Sequence, residues 1–194
     1  MTGGGRFAAA IVVAVTTLAA ANAQAPPAPE AAPATPLANQ RTPLPGVFTG
    51  GAPKSPDGMP AVATLGVRTF LDLRSDAELS PEVRTAVEAA GMVYERLPVA
   101  GEGELDLATA RKLHALLHDP GKQPVAVVCA SGNRSGALLA VEDFWLHGRT
   151  AEEALGFGRS AGLTRLEPSV RLLLGLPPLP PPAPTASTAP TPQR

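Results

Sequence analysis

Short apolar runs alternate with stretches of helical periodicity through the middle of the chain. Val47-Phe48-Thr49 is a short extended run. Ser55-Pro56 then supplies a cap and a first helical position, with Met59, Val62 and Ala63 on one face and Gly66 as the stop. Val67, Thr69, Leu71 and Leu73 alternate as a strand does. Ser80-Pro81 opens a second helix that turns Val83, Val87 and Ala90 inward and ends at Gly91. A strand from Met92 to Leu97 follows. The third helix, from about Asp106 to His118, carries Leu107, Ala110, Leu113, Leu116 and Leu117, and Asp119-Pro120-Gly121 is a turn.

Val125-Ala126-Val127-Val128 is continuous rather than alternating, which predicts a central strand buried on both faces. A fourth helix places Ala137, Leu138, Val141, Phe144 and Trp145 at core spacing. The box Thr150-x-x-Glu153 starts a fifth helix, and Pro168 to Leu174 forms a last one. Repeated strand and helix units predict an α/β fold, an open and mostly parallel sheet flanked by helices, over residues 46–175.

The two ends are of another kind. Residues 24–45 and 176–194 are rich in proline and alanine, cannot bury enough apolar surface to offset the entropy of ordering, and read as a linker and a disordered tail. Residues 1–23 hold Arg6, an apolar run from Phe7 to Ala21 and the small-x-small site Ala21-Asn22-Ala23, the order of a cleaved export signal. A periplasmic or secreted protein with no stable membrane span after cleavage is the expectation. A formal net charge of −1 without a basic block argues against nucleic acid as the main partner. The Pro-rich tail is a candidate segment for engaging a protein partner.

Export changes how the single cysteine is read, because a lone thiol forms no internal bridge in an oxidising compartment. Cys129 falls between the buried strand and the fourth helix, at the carboxyl edge of the sheet, where open α/β folds bind ligands. In the segment Cys129-Ala130-Ser131-Gly132-Asn133-Arg134-Ser135, successive backbone N–H groups can converge on one anion, helped by the helix N-terminus. The same field favours a thiolate, and so a nucleophile. Arg134 offers a planar fork to two oxyanion oxygens, Ser135 a hydroxyl to the sulfur, and Gly132 the turn. His114 and His118 stand four apart on the third helix, a spacing able to hold a metal. With no third ligand nearby in sequence they read as surface side chains, and neither metal nor cofactor is expected.

With these residues in place the chain resembles the cysteine-dependent dual-specificity phosphatases, in particular the bacterial beta-lactamase hydrolase-like phosphatases of the DUF442 group. The landmarks are Phe48-Thr49-Gly50-Gly51-Ala52-Pro53, the run from Leu65 to Arg74, Ala89-Ala90-Gly91-Met92-Val93-Tyr94 with Leu97-Pro98-Val99, and the Cys129 loop. The resemblance implies a cysteine-phosphatase-like fold, attack of Cys129 on phosphorus to give a phosphocysteine, and oxyanion binding by Arg134 and residues 130–135. It also implies a phosphorylated substrate, of unknown identity, and a carboxylic acid from another loop to protonate the leaving oxygen. Glu104 is the preferred acid, with Glu102, Asp106 and Asp72 as alternatives. Asp106 also reads as a helix cap, and Asp72 as a structural partner of Arg74. Four residues separate Cys129 from Arg134, one fewer than in most tyrosine and dual-specificity phosphatases, and Val128 replaces the usual preceding histidine. Rhodanese-like sulfurtransferases share that shorter loop, so sulfur transfer through a Cys129 persulfide and a silent oxyanion-binding module stay open beside phosphate hydrolysis.

Overall fold

The computed structural model describes residues 35–180. The apolar run from Phe7 to Ala21 and the last part of the tail, residues 181–194, lie outside the described residues. Five strands, β1 (Ala38–Leu44), β2 (Val47–Gly51), β3 (Thr69–Asp72), β4 (Val93–Arg96) and β5 (Val125–Cys129), form one sheet in the order β1-β2-β5-β3-β4. All pairings are parallel except that of β1 with β2. This is the expected mixed α/β fold with a mostly parallel sheet.

β5 lies in the middle of the sheet and is fully buried from Val125 to Cys129. Its side chains alternate between two cores, which is why its sequence is apolar without a break. Val125, Val127 and Cys129 face the helices α3 (Leu107–Leu117), α4 (Asn133–His147), α5 (Ala151–Ser160) and α6 (Glu167–Leu173). Ala126 and Val128 face Met59 and Val62 of α1 (Met59–Ala63) and Val83 and Val87 of α2 (Val83–Ala89). Burying one such valine contributes about 1.5–3 kcal/mol, so this strand holds both layers to the sheet. α4 is enclosed by α3, α5 and α6, and Leu138, Leu139, Ala140 and Val141 are all fully buried.

Three of the expected caps form, whereas α2 begins at Val83, past Ser80-Pro81, without a side-chain cap. Ser55 accepts from the Asp57 N–H at 3.3 Å, Asp106 from the Thr109 N–H at 2.7 Å, and Thr150 from the Glu153 N–H at 3.3 Å. The linker boundary at residue 45 is corrected by the structure, because residues 38–44 form β1 and Leu37 is fully buried. β1 is an edge strand with exposed or half-exposed residues throughout and two irregularities in its register. It shows no apolar alternation, and it tolerates Pro43 because an edge strand can spare a donor. Among the described residues no helix is long and apolar enough to cross a membrane.

Candidate active site

Cys129 is the last residue of β5, flanked by Gly51 at the end of β2 and by Ala52 just beyond it. The Ala52 N–H donates to the Cys129 carbonyl at 2.8 Å. The loop then folds tightly back on β2. A Cβ on Gly51 would come within 2.7 Å of the Ala130 carbonyl oxygen, and Gly132 adopts φ +92° with its Cα side against Gly50. These two positions need glycine for close approach and for the left-handed backbone.

That turn directs N–H groups at the cysteine. Gly132 N–H donates to the Cys129 sulfur at 3.1 Å. Burial pushes the thiol pKa up, but backbone N–H groups of Ser131, Ser135, Arg134 and Gly132 outweigh it and hold it below the ordinary thiol value. α4 begins at Asn133, so its N-terminal dipole adds to the field. The result is a buried sulfur in a ring of backbone donors, a field that favours the thiolate form.

Arg134 is anchored by two groups distant in sequence. Its Nη1 donates to Oε2 of Glu78 at 2.8 Å and to the Val99 carbonyl at 2.9 Å, while Nη2 donates to Oε1 of Glu78 at 2.5 Å. A guanidinium has five N–H donors in a fixed plane. Three are engaged, which leaves the Nε–H and one Nη2–H, a two-toothed edge suited to an oxyanion. The Glu78 hydrogen bonds raise the Arg134 pKa, and the Cys129 thiolate adds to the rise. Reciprocally, the Arg134 hydrogen bond holds the Glu78 carboxyl well below its usual range, at about 2.

Glu78 is the site residue that sequence reasoning missed. It is oriented by a capping box, since its Oε2 accepts from the Ser75 N–H at 2.9 Å and from the Ser75 hydroxyl at 2.8 Å. The Ser75-x-x-Glu78 pattern was the available signal, although it points to a turn and not to a partner 56 residues away.

The other candidate residues separate by what they touch. Asp72 is fully buried and bound by Arg74, Nε to Oδ1 at 3.0 Å and Nη2 to Oδ2 at 2.7 Å, with the Tyr94 hydroxyl at 3.4 Å. It is a structural ion pair. Asp106 caps α3, and the Thr109 N–H lowers its pKa. Glu102 and Glu104 lie on a short 3-10 turn, exposed, and Glu104 accepts from the Gly101 N–H at 2.9 Å. Val99, just before this turn, is the residue whose carbonyl holds Arg134, so the turn borders the site. The Asn133 side chain is turned away from any ligand: its Oδ1 accepts from the Thr164 N–H at 2.8 Å, the Thr164 hydroxyl at 3.1 Å and the Leu166 N–H at 3.2 Å. The Ser135 hydroxyl is buried and has no hydrogen-bond partner among the described residues. Next to Ser131 a cleft of about 350 Å³ is lined by Asn39, Arg41, Arg159 and Arg165.

Solved structures share this architecture. A DUF442 protein of Shewanella putrefaciens CN-32 superposes with a TM-score of 0.56 at 18% identity, covering 72% of this chain and 90% of that one. The core catalytic domain of the PP-IP phosphatase SIW14 of S. cerevisiae, in complex with citrate, gives 0.54 at 16% identity, covering 72% and 86%. Tk-PTP in its active form gives 0.56 at 20% identity, covering 71% and 95%. This chain shares the fold of these proteins, with a loop cysteine beside an anchored arginine. The particular family follows from the sequence: residues 48–144, half of the chain, match the beta-lactamase hydrolase-like protein, phosphatase-like domain, and the chain belongs to that family. No curated protein sequence matches it significantly.

Proposed function

We propose that this chain is an exported phosphatase that hydrolyses a phosphate monoester through a phosphocysteine on Cys129. The observation that carries the reading is the tight loop that puts the Gly132 N–H on the Cys129 sulfur at 3.1 Å, followed by the Arg134 guanidinium held by Glu78 and Val99. The sulfur lone pair attacks phosphorus, the bond to the leaving oxygen breaks, and a carboxylic acid gives that oxygen its proton. Loop N–H groups and Arg134 hold the equatorial oxygens, where charge is carried in the transition state. Water then attacks phosphorus, the S–P bond breaks, and the carboxylate takes the water proton.

Glu104 is the proposed acid, with Glu102 on the same turn as the alternative. Ser135, whose hydroxyl has no other partner among the described residues, is the proposed donor to the departing sulfur. The arginine-lined cleft beside Ser131 favours a substrate that carries negative charge beyond the reacting phosphate. Export rests on the Phe7–Ala21 run and the Ala21-Asn22-Ala23 site, and recovery of the mature protein from the periplasm or medium checks it.

Phosphate release from an aryl phosphate by the wild type and by Cys129→Ser tests the reaction. Equal rates would sink it. The four-residue spacing from Cys129 to Arg134 favours a second reading, sulfur transfer. Thiocyanate formation from thiosulfate and cyanide, with one added sulfur on the thiol, would put that reading first.

A further inference from the structure

The fold assembles a second group of reactive side chains at the opposite edge of the sheet. His114 of α3 and His118 just past its end meet Glu142 and His147 of α4, and one donor atom from each lies within 4.8 Å of all the others. Sequence spacing showed only His114 and His118. The third and fourth donors come from a helix that packs against α3. The group borders a groove of about 310 Å³ with Gly46, Val47 and Gln123, which lie at the starts of β2 and β5. Cys129 stands at the other end of β5, and α4, 15 residues long, joins the two places at about 1.5 Å per residue.

We infer that His114, His118, Glu142 and His147 form a binding site for a divalent transition metal of the zinc class. Three imidazoles and one carboxylate are a donor set that this ion takes in four-coordinate form. Hydrogen bonds orient two of the three imidazoles, His118 and His147, with Nε2 free to ligate. Nδ1 of His118 lies 2.9 Å from the His114 carbonyl oxygen, which can only accept, so Nδ1 carries the proton and Nε2 keeps its lone pair. Nδ1 of His147 lies 3.2 Å from Oδ1 of Asp143, the carboxylate–histidine pairing that orients metal ligands. With the proton there, Nε2 of His147 turns a lone pair toward Oε1 of Glu142 at 3.7 Å.

The Glu142 carboxylate, 2% exposed, thus has Nε2 of His147 on one side and Nδ1 of His114 at 2.7 Å on the other, and the three side chains converge on one small space. The His114 and His118 rings stack at 3.9 Å between centroids, with His147 at 5.3 and 5.6 Å from them. One metal ion in this space would satisfy all four donors. Ligand atoms of a tetrahedral site with metal–nitrogen bonds of about 2.05 Å stand roughly 3.3 Å apart, so closure asks for side-chain shifts of about an ångström. Glu142 as ligand and Asp143 behind His147 bring two carboxylates to the ion, Asp143 also meeting Arg149 at 3.9 Å. Four protein ligands make the site structural, a clamp between α3 and the end of α4.

The test uses the untagged full chain carrying Cys129→Ser, so that the thiol cannot compete, stripped with a chelator and titrated with zinc ion in a calorimeter. The expected result is one equivalent bound, and a tetrahedral visible spectrum when cobalt ion replaces zinc. His118→Ala, His147→Ala and Glu142→Gln each weaken binding at least 10-fold, and zinc raises the thermal midpoint of the parent but not of His118→Ala. His118 is exposed, so its loss leaves the fold intact. Less than half an equivalent bound, or equal affinity in the parent and the three variants, would overturn the site.

Discussion

Arg134 and Glu78, 56 residues apart, are joined by a two-toothed ion pair in which Nη1 meets Oε2 at 2.8 Å. The pair fixes the plane of the guanidinium and leaves its Nε edge free. Glu78→Gln removes the charge and one acceptor while keeping the size, so the arginine loses orientation and remains present. Displacement of a positioning group by about 1 Å costs on the order of 10²-fold in rate. The expected outcome is a fall of that order in kcat/KM, with kcat carrying part of it. A change confined to thermal stability would show that the pair is only structural.

The same pair has a pH signature. Glu78 falls from its ordinary 4.5 to about 2 in the folded protein, chiefly through the Arg134 hydrogen bond. A depressed carboxylate contributes stability above its unfolded value and loses it as pH drops through the folded one. The difference in stability between wild type and Glu78→Gln is therefore expected to be constant above pH 4.5 and to shrink toward pH 2. Denaturant midpoints at stepped pH measure it, and a constant difference down to pH 2 would refute the assignment.

What the sequence made legible was local. The apolar run of β5, the caps Ser55, Asp106 and Thr150, and the Cys129 loop all rest on neighbouring residues, and the structure has each of them in place. β1 was hidden because its residues are exposed or half-exposed throughout and Pro43, among the flanking prolines, reads as part of a linker. Glu78 and the set of His147 and Glu142 with His114 and His118 were hidden for a different reason. Each depends on packing between segments far apart in the chain, and no periodicity reports that.

Cys129 supplies a further pH test. Its loop N–H groups hold the folded thiol below its ordinary value despite burial. The unfolded chain then binds more protons between the two pKa values, so stability rises with pH across that interval. Cys129→Ser is expected to abolish this slope while leaving the fold. Thiolate ultraviolet absorbance followed against pH should show the matching early titration, and a thiol titrating at or above that of free cysteine would contradict it.

Asn133 holds the loop from behind. Its Oδ1 receives two N–H groups and a hydroxyl from Thr164 and Leu166, and the residue is 8% exposed. Asn133→Ala leaves buried donors without an acceptor, at a cost of about 1–3 kcal/mol. Asn133→Asp keeps an acceptor and is expected to recover part of that loss. Equilibrium unfolding compares the three proteins, and an alanine variant as stable as the wild type would remove this role.

The acid is best separated by pH–rate profiles. A residue that protonates the leaving oxygen must be protonated when the phosphocysteine forms, so its loss removes the fall in kcat on the alkaline side. It matters most for a poor leaving group, such as an alkyl alcohol, and little for a nitrophenolate that departs unprotonated. If Glu104 is the acid, Glu104→Gln slows an alkyl phosphate by about 10²–10⁴-fold, flattens that limb and spares the activated aryl substrate. Glu102→Gln should then behave as the wild type. The reverse pattern would transfer the role to Glu102, and wild-type profiles in both variants would remove the turn that follows Val99 from the chemistry.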